Sequence, residues 1–219
     1  MALLTSPHWE TISPDMRELL VWMGKQAFAV RFYLAGGTAL ALQMGHRRSA
    51  DLDFFSVTDE LHTLTRQELI RFFSTRQAQV MESVDGNLLL LVNGTRAGFF
   101  SYNYTLLESN LMVENICLAS LLDIGLMKLD AIIGRGSRKD FYDLYIISRK
   151  IPLKNLLSAG ERKYPQVRDF QLMSLEGLLQ FDNADRDLQP EMLIDLPWEK
   201  VRSYFIEQGK MFGRDWFKN

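Results

Sequence analysis

Two short runs early in the chain hold residue types that can do chemistry together: Gly36-Gly37-Thr38 and, further along, Asp51-Leu52-Asp53. Paired glycines let a phosphate come close to the backbone. A helix starting at Thr38 would point its free amides and its dipole at that anion. Asp51 and Asp53 stand two apart on an expected strand, so both carboxylates leave the same side, about 7 Å apart along the chain. Two carboxylates beside a triphosphate are what a hard divalent cation, Mg²⁺ or Mn²⁺, requires. Such a cation would neutralise the phosphates of an NTP and align an in-line displacement. Either run alone says little, because Gly-Gly before a helix is commonly a turn and Asp-x-Asp commonly a solvated strand face. Close together and in this order, they read as a nucleotide-and-metal site. Gly36, Gly37 and Thr38 face the phosphates, Asp51 and Asp53 are the metal ligands, and Arg47 is a further phosphate contact. Arg48 reads as solvated, and His46, just after a helix-ending glycine, could simply meet the last carbonyls of that helix.

The elements that must hold these residues are an α/β half followed by a helical half. Ser13-Pro14-Asp15 predicts a helix start, with a capping hydroxyl and proline at the first helical position. Phe32–Ala35 reads as a buried strand ending at the glycines. Thr38–Met44 reads as a two-turn helix that Gly45 closes in a left-handed conformation. A second strand carries Leu52, Phe54 and Phe55. Thr65-Arg66-Gln67-Glu68 has the form of a capping box ahead of a helix. Runs near 80–84, 88–92 and 97–104 are joined by Asp85-Gly86 and Asn93-Gly94, which suit tight hairpin turns and predict an antiparallel meander. From about Leu118 the pattern is helical, with a helix over 119–133 ending at Gly134 and Gly136 and another starting at Ser137. Pro152, Pro165, Pro190 and Pro197 divide the remainder into short helices. The expected domains are 1–115, the core, and 116–219, a helical region that packs on the core and completes the site.

Composition excludes several classes. Of 219 residues 47% are hydrophobic and 24% charged, an ordinary globular balance. The longest apolar runs are too short to cross a bilayer, and the N-terminus lacks the pattern of a signal peptide. A net charge of −2 argues against a protein that coats nucleic acid, so any such contact would be local. The single cysteine, Cys117, reads as a small buried hydrophobe in a reducing cytoplasm.

The run from Gly36-Gly37-Thr38-Ala39-Leu40 through Gly45-His46-Arg47 and Ser49 to Asp51-Leu52-Asp53-Phe54 resembles the first motif of the AbiEii/AbiGii abortive-infection toxin family. That family is a branch of the DNA polymerase β-like nucleotidyltransferases. The likeness continues from Lys128 to Tyr145, a lysine helix followed by a basic-Asp-Phe-x-Asp-Leu-Tyr segment. It extends more weakly through Tyr104–Glu108 and the C-terminal helices. The resemblance implies a polymerase β-like core with a mixed or antiparallel sheet and a C-terminal helical region. It also implies Mg²⁺-dependent transfer of a nucleotide from an NTP to a tRNA end or a protein, as the toxin of a toxin–antitoxin or phage-defence system restrained by a cognate antitoxin. It makes Asp51 and Asp53 catalytic and adds Ser49 to the nucleotide-binding motif. It turns Lys128 toward the NTP phosphates, with Arg135 as support, and makes Asp140 an active-site acid.

The residues themselves leave alternatives open. Lys128 and Arg135 could be two solvated cations near a helix C-terminus. Asp140 could only close a capping box begun by Ser137, and Asp143 reads as a partner for a nearby cation. A polymerase β-like site also has a third carboxylate on a later strand. Here that strand, Arg96–Tyr102, has no acid, and Gly98 stands near the expected place. If catalysis persists, Asp140 would have to substitute as general base, and Lys139, where the family has arginine, loses bidentate geometry. The competing reading is a catalytically impaired member that binds a nucleotide or a partner.

Overall fold

A computed structural model describes residues 2–216. The chain forms two compact units, Met1–Ser120 and Leu121–Asn219.

The first unit is a mixed eight-stranded sheet with helices. In chain order its elements are β1 (Ala2–Leu3), α1 (Pro14–Met23), β2 (Tyr33–Leu34), α2 (Gly36–Met44), β3 (Asp51–Ser56), α3 (Thr63–Ser74), β4 (Gln79–Val84), β5 (Asn87–Val92), β6 (Thr95–Ser101), β7 (Leu111–Val113) and β8 (Ile116–Leu118). The spatial order is β1-β7-β8-β2-β3-β6-β5-β4. The expected meander is β4-β5-β6, and it joins the site through a parallel pairing of β6 with β3. Its two turns differ. Asn93 and Gly94 both have positive φ, as a type I′ turn needs, whereas at Asp85-Gly86 only Gly86 does.

Strand alternation separates the two faces of β3. Leu52, Phe54 and Ser56 are buried, while Asp51, Asp53 and Phe55 leave the other side. The buried face packs on an aromatic centre. Phe99 of β6 meets Phe28, Phe32, Phe54 and Phe73 at ring-centroid distances of 5.2–6.2 Å. Met16, Leu19, Leu20 and Met23 of α1 and Leu69 of α3 are buried as well. Burying side chains of this size is worth about 1.5–3 kcal/mol each, which makes β3 a firm platform for whatever its opposite face carries.

Several boundaries differ from expectation for identifiable reasons. Ser13 caps α1 as predicted, its Oγ accepting from the Met16 amide. The Thr65 capping box does not form, because the chain turns helical at Thr63, after His62, and the box residues lie inside the first turns. Arg66 is drawn inward there by the Leu61 carbonyl (2.6 Å) and Asp85. The strands β7 and β8 escaped the sequence pattern, because each is three residues long. They are joined at Glu114-Asn115, both with positive φ and neither a glycine.

The second unit is helical: α4 (Leu121–Gly134), α5 (Arg138–Ser148), α6 (Leu153–Lys163), α7 (Phe170–Leu178), α8 (Asp182–Arg186) and α9 (Trp198–Trp216). Prolines precede α6 and α9 as expected, but α9 runs 19 residues rather than staying short. No proline follows Pro197 to break it, and Gly209 and Gly213 are tolerated within. The helix α4 ends at its glycines, with Gly136 in the left-handed region donating to the Ala131 carbonyl. Asp123 of α4 and Lys163 of α6, both wholly buried, pair at 2.8 Å. Removing one partner of such a pair strands a charge in an apolar interior, at about 3–5 kcal/mol. Urea denaturation is expected to show that loss for Lys163→Met, with most of it recovered in the double variant Asp123→Leu/Lys163→Met. A double variant no more stable than the single one would contradict the assignment.

Candidate active site

The first unit ties the glycine run to the acidic strand through the Ala35 amide, which donates to the Asp53 carbonyl at 3.1 Å, and through one hydroxyl. Thr38, buried in the first turn of α2, hydrogen-bonds the Asp51 main-chain carbonyl through Oγ1, which also lies 2.9 Å from Ser49 Oγ. Ser49 is held in turn by its amide, which donates to the Thr11 carbonyl at 2.9 Å. The loop leaving α2 at Gly45 (φ +64) thus folds back over the start of that helix.

Gly36 is required by conformation as well as by contact, and Gly37 by contact alone. Gly36 has φ +66, and a Cβ there would stand 3.2 Å from Asp53 Oδ2. A Cβ on Gly37 would stand 2.4 Å from Arg47 Nη2 and 3.2 Å from Ser49 Oγ. Arg47 is buried across this helix start, with Nη1 donating to the Arg48 carbonyl at 2.8 Å. Amides at a helix start, a buried guanidinium beside them and a carboxylate against Gly36 together suit a phosphate with its cation.

On β3, Asp51 and Asp53 share the exposed face as expected. Opposite them on β6, Asp51 pairs in register with Arg96 and Asp53 with Gly98. Arg96 grips Asp51 bidentately, Nε to Oδ1 at 2.8 Å and Nη2 to Oδ2 at 2.9 Å. A Cβ on Gly98 would stand 2.6 Å from the Phe100 ring, which folds over it. Position 98 therefore carries an aromatic cover beside Asp53 and no acid. Among the described residues, no group of three or more His, Cys, Asp or Glu forms a cage for a metal. The donor set is two carboxylates, which fits one hard cation completed by phosphate oxygens and water.

The second unit gathers the other predicted residues around Asp140. Its carboxylate is wholly buried and accepts from Lys128 Nζ (2.8 Å), Arg135 Nε and Nη2 (2.8 and 2.9 Å) and Ser137 Oγ (2.6 Å). Lys128 also pairs with buried Asp143 at 2.7 Å. Lys128 is 5% exposed, so it is not a solvated cation, while the Arg135 side chain is 59% exposed. Ser137 stands at the N-cap of α5 but makes no side-chain cap, because its hydroxyl is turned to the Asp140 carboxylate. Burial opposes the charge on Asp140, yet Lys128 and Arg135 outweigh it and hold this carboxyl well below the usual carboxylate range. A carboxylate so held accepts a proton poorly.

The family model described as "Nucleotidyl transferase AbiEii toxin, Type IV TA system" matches residues 18–105. The protein aq_aa25 of Aquifex aeolicus is 33% identical over 211 residues, 92% of this chain and 97% of that protein. The chain belongs to the AbiEii nucleotidyl transferase toxin family. Solved structures are similar to it as well. The crystal structure of ANT(2")-Ia in complex with adenylyl-2"-tobramycin is 13% identical, covering 69% of this chain and 98% of that one at TM-score 0.51. The structure of JHP933 from Helicobacter pylori, 16% identical, covers 93% of this chain and 98% of its own at TM-score 0.44. No helix among the described residues of this AbiEii-family protein is long and apolar enough to cross a membrane.

The β6 strand of this AbiEii-family protein has no acid, and the residue it sets against Asp51 is Arg96, which no motif marks. The signal was available: residues 96, 98 and 100 alternate onto one face, and a parallel pairing with β3 would set them against 51, 53 and 55. Conformation and contact at Gly36 can be separated by experiment. Alanine at a left-handed position costs about 1–3 kcal/mol. Gly94 (φ +79) has nothing within 4 Å of an added Cβ, so Gly94→Ala carries the backbone cost alone. Urea denaturation is expected to find Gly36→Ala the more destabilised, by the added crowding of Asp53. Equal losses would contradict the close approach.

Proposed function

We propose that this protein is a divalent-metal-dependent nucleotidyltransferase that moves a nucleotide from an NTP to an acceptor on a tRNA end or a protein. It acts in the cytoplasm as a toxin, under restraint by a cognate antitoxin. The observation that carries the reading is the Thr38–Asp51 hydrogen bond. That bond makes the phosphate-facing helix start and the two-carboxylate strand one assembly rather than two neighbouring motifs.

In the reaction, an acceptor hydroxyl oxygen attacks the α-phosphorus and gives up its proton to solvent water, the bond to the oxygen bridging to the β-phosphate breaks, and pyrophosphate leaves with its electron pair. A Mg²⁺ or Mn²⁺ held by Asp51 and Asp53 would supply charge neutralisation on the phosphates. Gly36 and Gly37 keep the backbone open to the NTP, Thr38 and Ser49 fix the strand against the helix, and Arg47 adds a buried positive charge at the helix start. In the helical unit, Lys128 and Arg135 take the phosphate-binding part that the family resemblance gives them. Asp140 orients both through the hydrogen bonds it accepts, and its depressed pKa disfavours it as general base. The second reading, an impaired member that binds a nucleotide or partner, has one observation in its favour: the absence of an acid at Gly98 beside Asp53.

Transfer of label from α-labelled NTPs onto total RNA and protein separates these readings. Asp51→Ala and Asp53→Ala are each expected to lower incorporation by about a hundredfold or more, the scale of losing one charge-stabilising group. Incorporation that survives both substitutions would sink the proposed site. Nucleotide and Mg²⁺ binding with no labelled product in any fraction would favour the impaired reading. Shortened RNA without label gain would point to a nuclease instead.

A further inference from the structure

The β3–β6 register sets two unusual residues beside the two acids, Arg96 against Asp51 and Gly98 against Asp53. Two-metal sites for phosphoryl and nucleotidyl transfer clamp both the attacking and the leaving oxygen, and the cations stand about 3.5–4 Å apart. Holding both requires several carboxylates, some of them shared. Here both oxygens of Asp51 already accept from one guanidinium in bidentate geometry. Such pairing is strong and directional, and it sets the plane of the carboxylate. The Phe100 ring fills the space over Gly98, and among the described residues no third carboxylate joins Asp51 and Asp53 in a metal-holding group. The ring is itself packed, 5.2 Å from Phe55, the next residue of β3 on this face.

We propose that Arg96 is a working part of the site. Its guanidinium supplies the positive charge that a second divalent cation supplies elsewhere, so the site takes an NTP together with one divalent cation. This rests on the nucleotidyltransferase reading and goes beyond it, by assigning the metal count and a residue that no motif marks. Arginine suits the role. It stays charged at any working pH, and its planar fork can hold a carboxylate on one side while its remaining N–H groups face phosphate oxygens. Roughly half of the Arg96 side chain is exposed, so those N–H groups are reachable from the sheet face that carries Asp51 and Asp53.

The test uses the full chain, Mn²⁺ and the α,β-methylene analogues of the four NTPs, which bind without transfer. Protein is passed through a desalting column equilibrated in Mn²⁺ and analogue, and the retained metal and nucleotide are counted. The wild type is expected to retain one Mn²⁺ per bound nucleotide. Arg96→Gln is expected to weaken nucleotide retention about tenfold or more at an unchanged urea midpoint, and Arg96→Lys to recover part of it. Two Mn²⁺ per nucleotide in the wild type would overturn the proposal, as would wild-type retention and transfer in Arg96→Gln. Either result would leave the nucleotidyltransferase reading standing. Retention of neither metal nor nucleotide with any analogue would overturn that reading as well.

Discussion

The hydroxyl of Thr38 and the main-chain carbonyl of Asp51 join two parts of the first unit that the chain makes separately. That hydrogen bond adds to the backbone pairing of β2 with β3 and to the Ala35 amide, which donates to the Asp53 carbonyl at 3.1 Å. Together these give the start of α2 and the acidic face of β3 one fixed geometry, and Ser49 and Arg47 fall into place around it. The glycines follow from the same constraint. A side chain on Gly36 would meet Asp53, and one on Gly37 would meet Arg47 and Ser49. The bond is part-buried, with the Thr38 side of it almost wholly out of solvent, so losing the hydroxyl removes a partner that water replaces only in part.

Charge is managed differently in the two units. On β3 the acids lie on a partly exposed sheet face, one gripped by an arginine across the strand pair. In the helical unit, Asp140, Asp143 and Asp123 are all wholly buried, and each faces a lysine. Buried pairs of this kind add little net stability over apolar packing but penalise any arrangement that separates them. They therefore fix how α4, α5 and α6 meet one another. Asp140 also faces the half-exposed Arg135, so a single carboxylate sets the position of one buried and one exposed cation.

Much of this was legible in the chain, where local chemistry and periodicity agree. Ser13, Gly45, Gly136 and the Asn93-Gly94 turn each act at the place their conformational preferences indicate. The two-residue spacing of Asp51 and Asp53 was enough to put them on one face. What stayed hidden depends on pairing between distant segments. Arg96 acquires meaning only when β6 lies parallel to β3, and Phe100 covers Gly98 only in the folded strand. The strands β7 and β8 are too short for a periodic signal. At Ser137 the helix does start where the pattern indicates, but the hydroxyl is aimed at the Asp140 carboxylate, to which it donates, and its oxygen accepts from no first-turn amide.

In the proposed site, one hydrogen-bonded assembly of Gly36-Gly37-Thr38 with Asp51 and Asp53 holds both the nucleotide phosphates and the metal. Crystals grown with Mn²⁺ and a non-hydrolysable NTP analogue test it most directly, through the anomalous scattering of manganese. An anomalous peak is expected within coordination distance of Asp51 and Asp53, with the triphosphate lying along the amides at the start of α2. A triphosphate bound away from that helix start, or manganese bound with neither aspartate as a ligand, would contradict it.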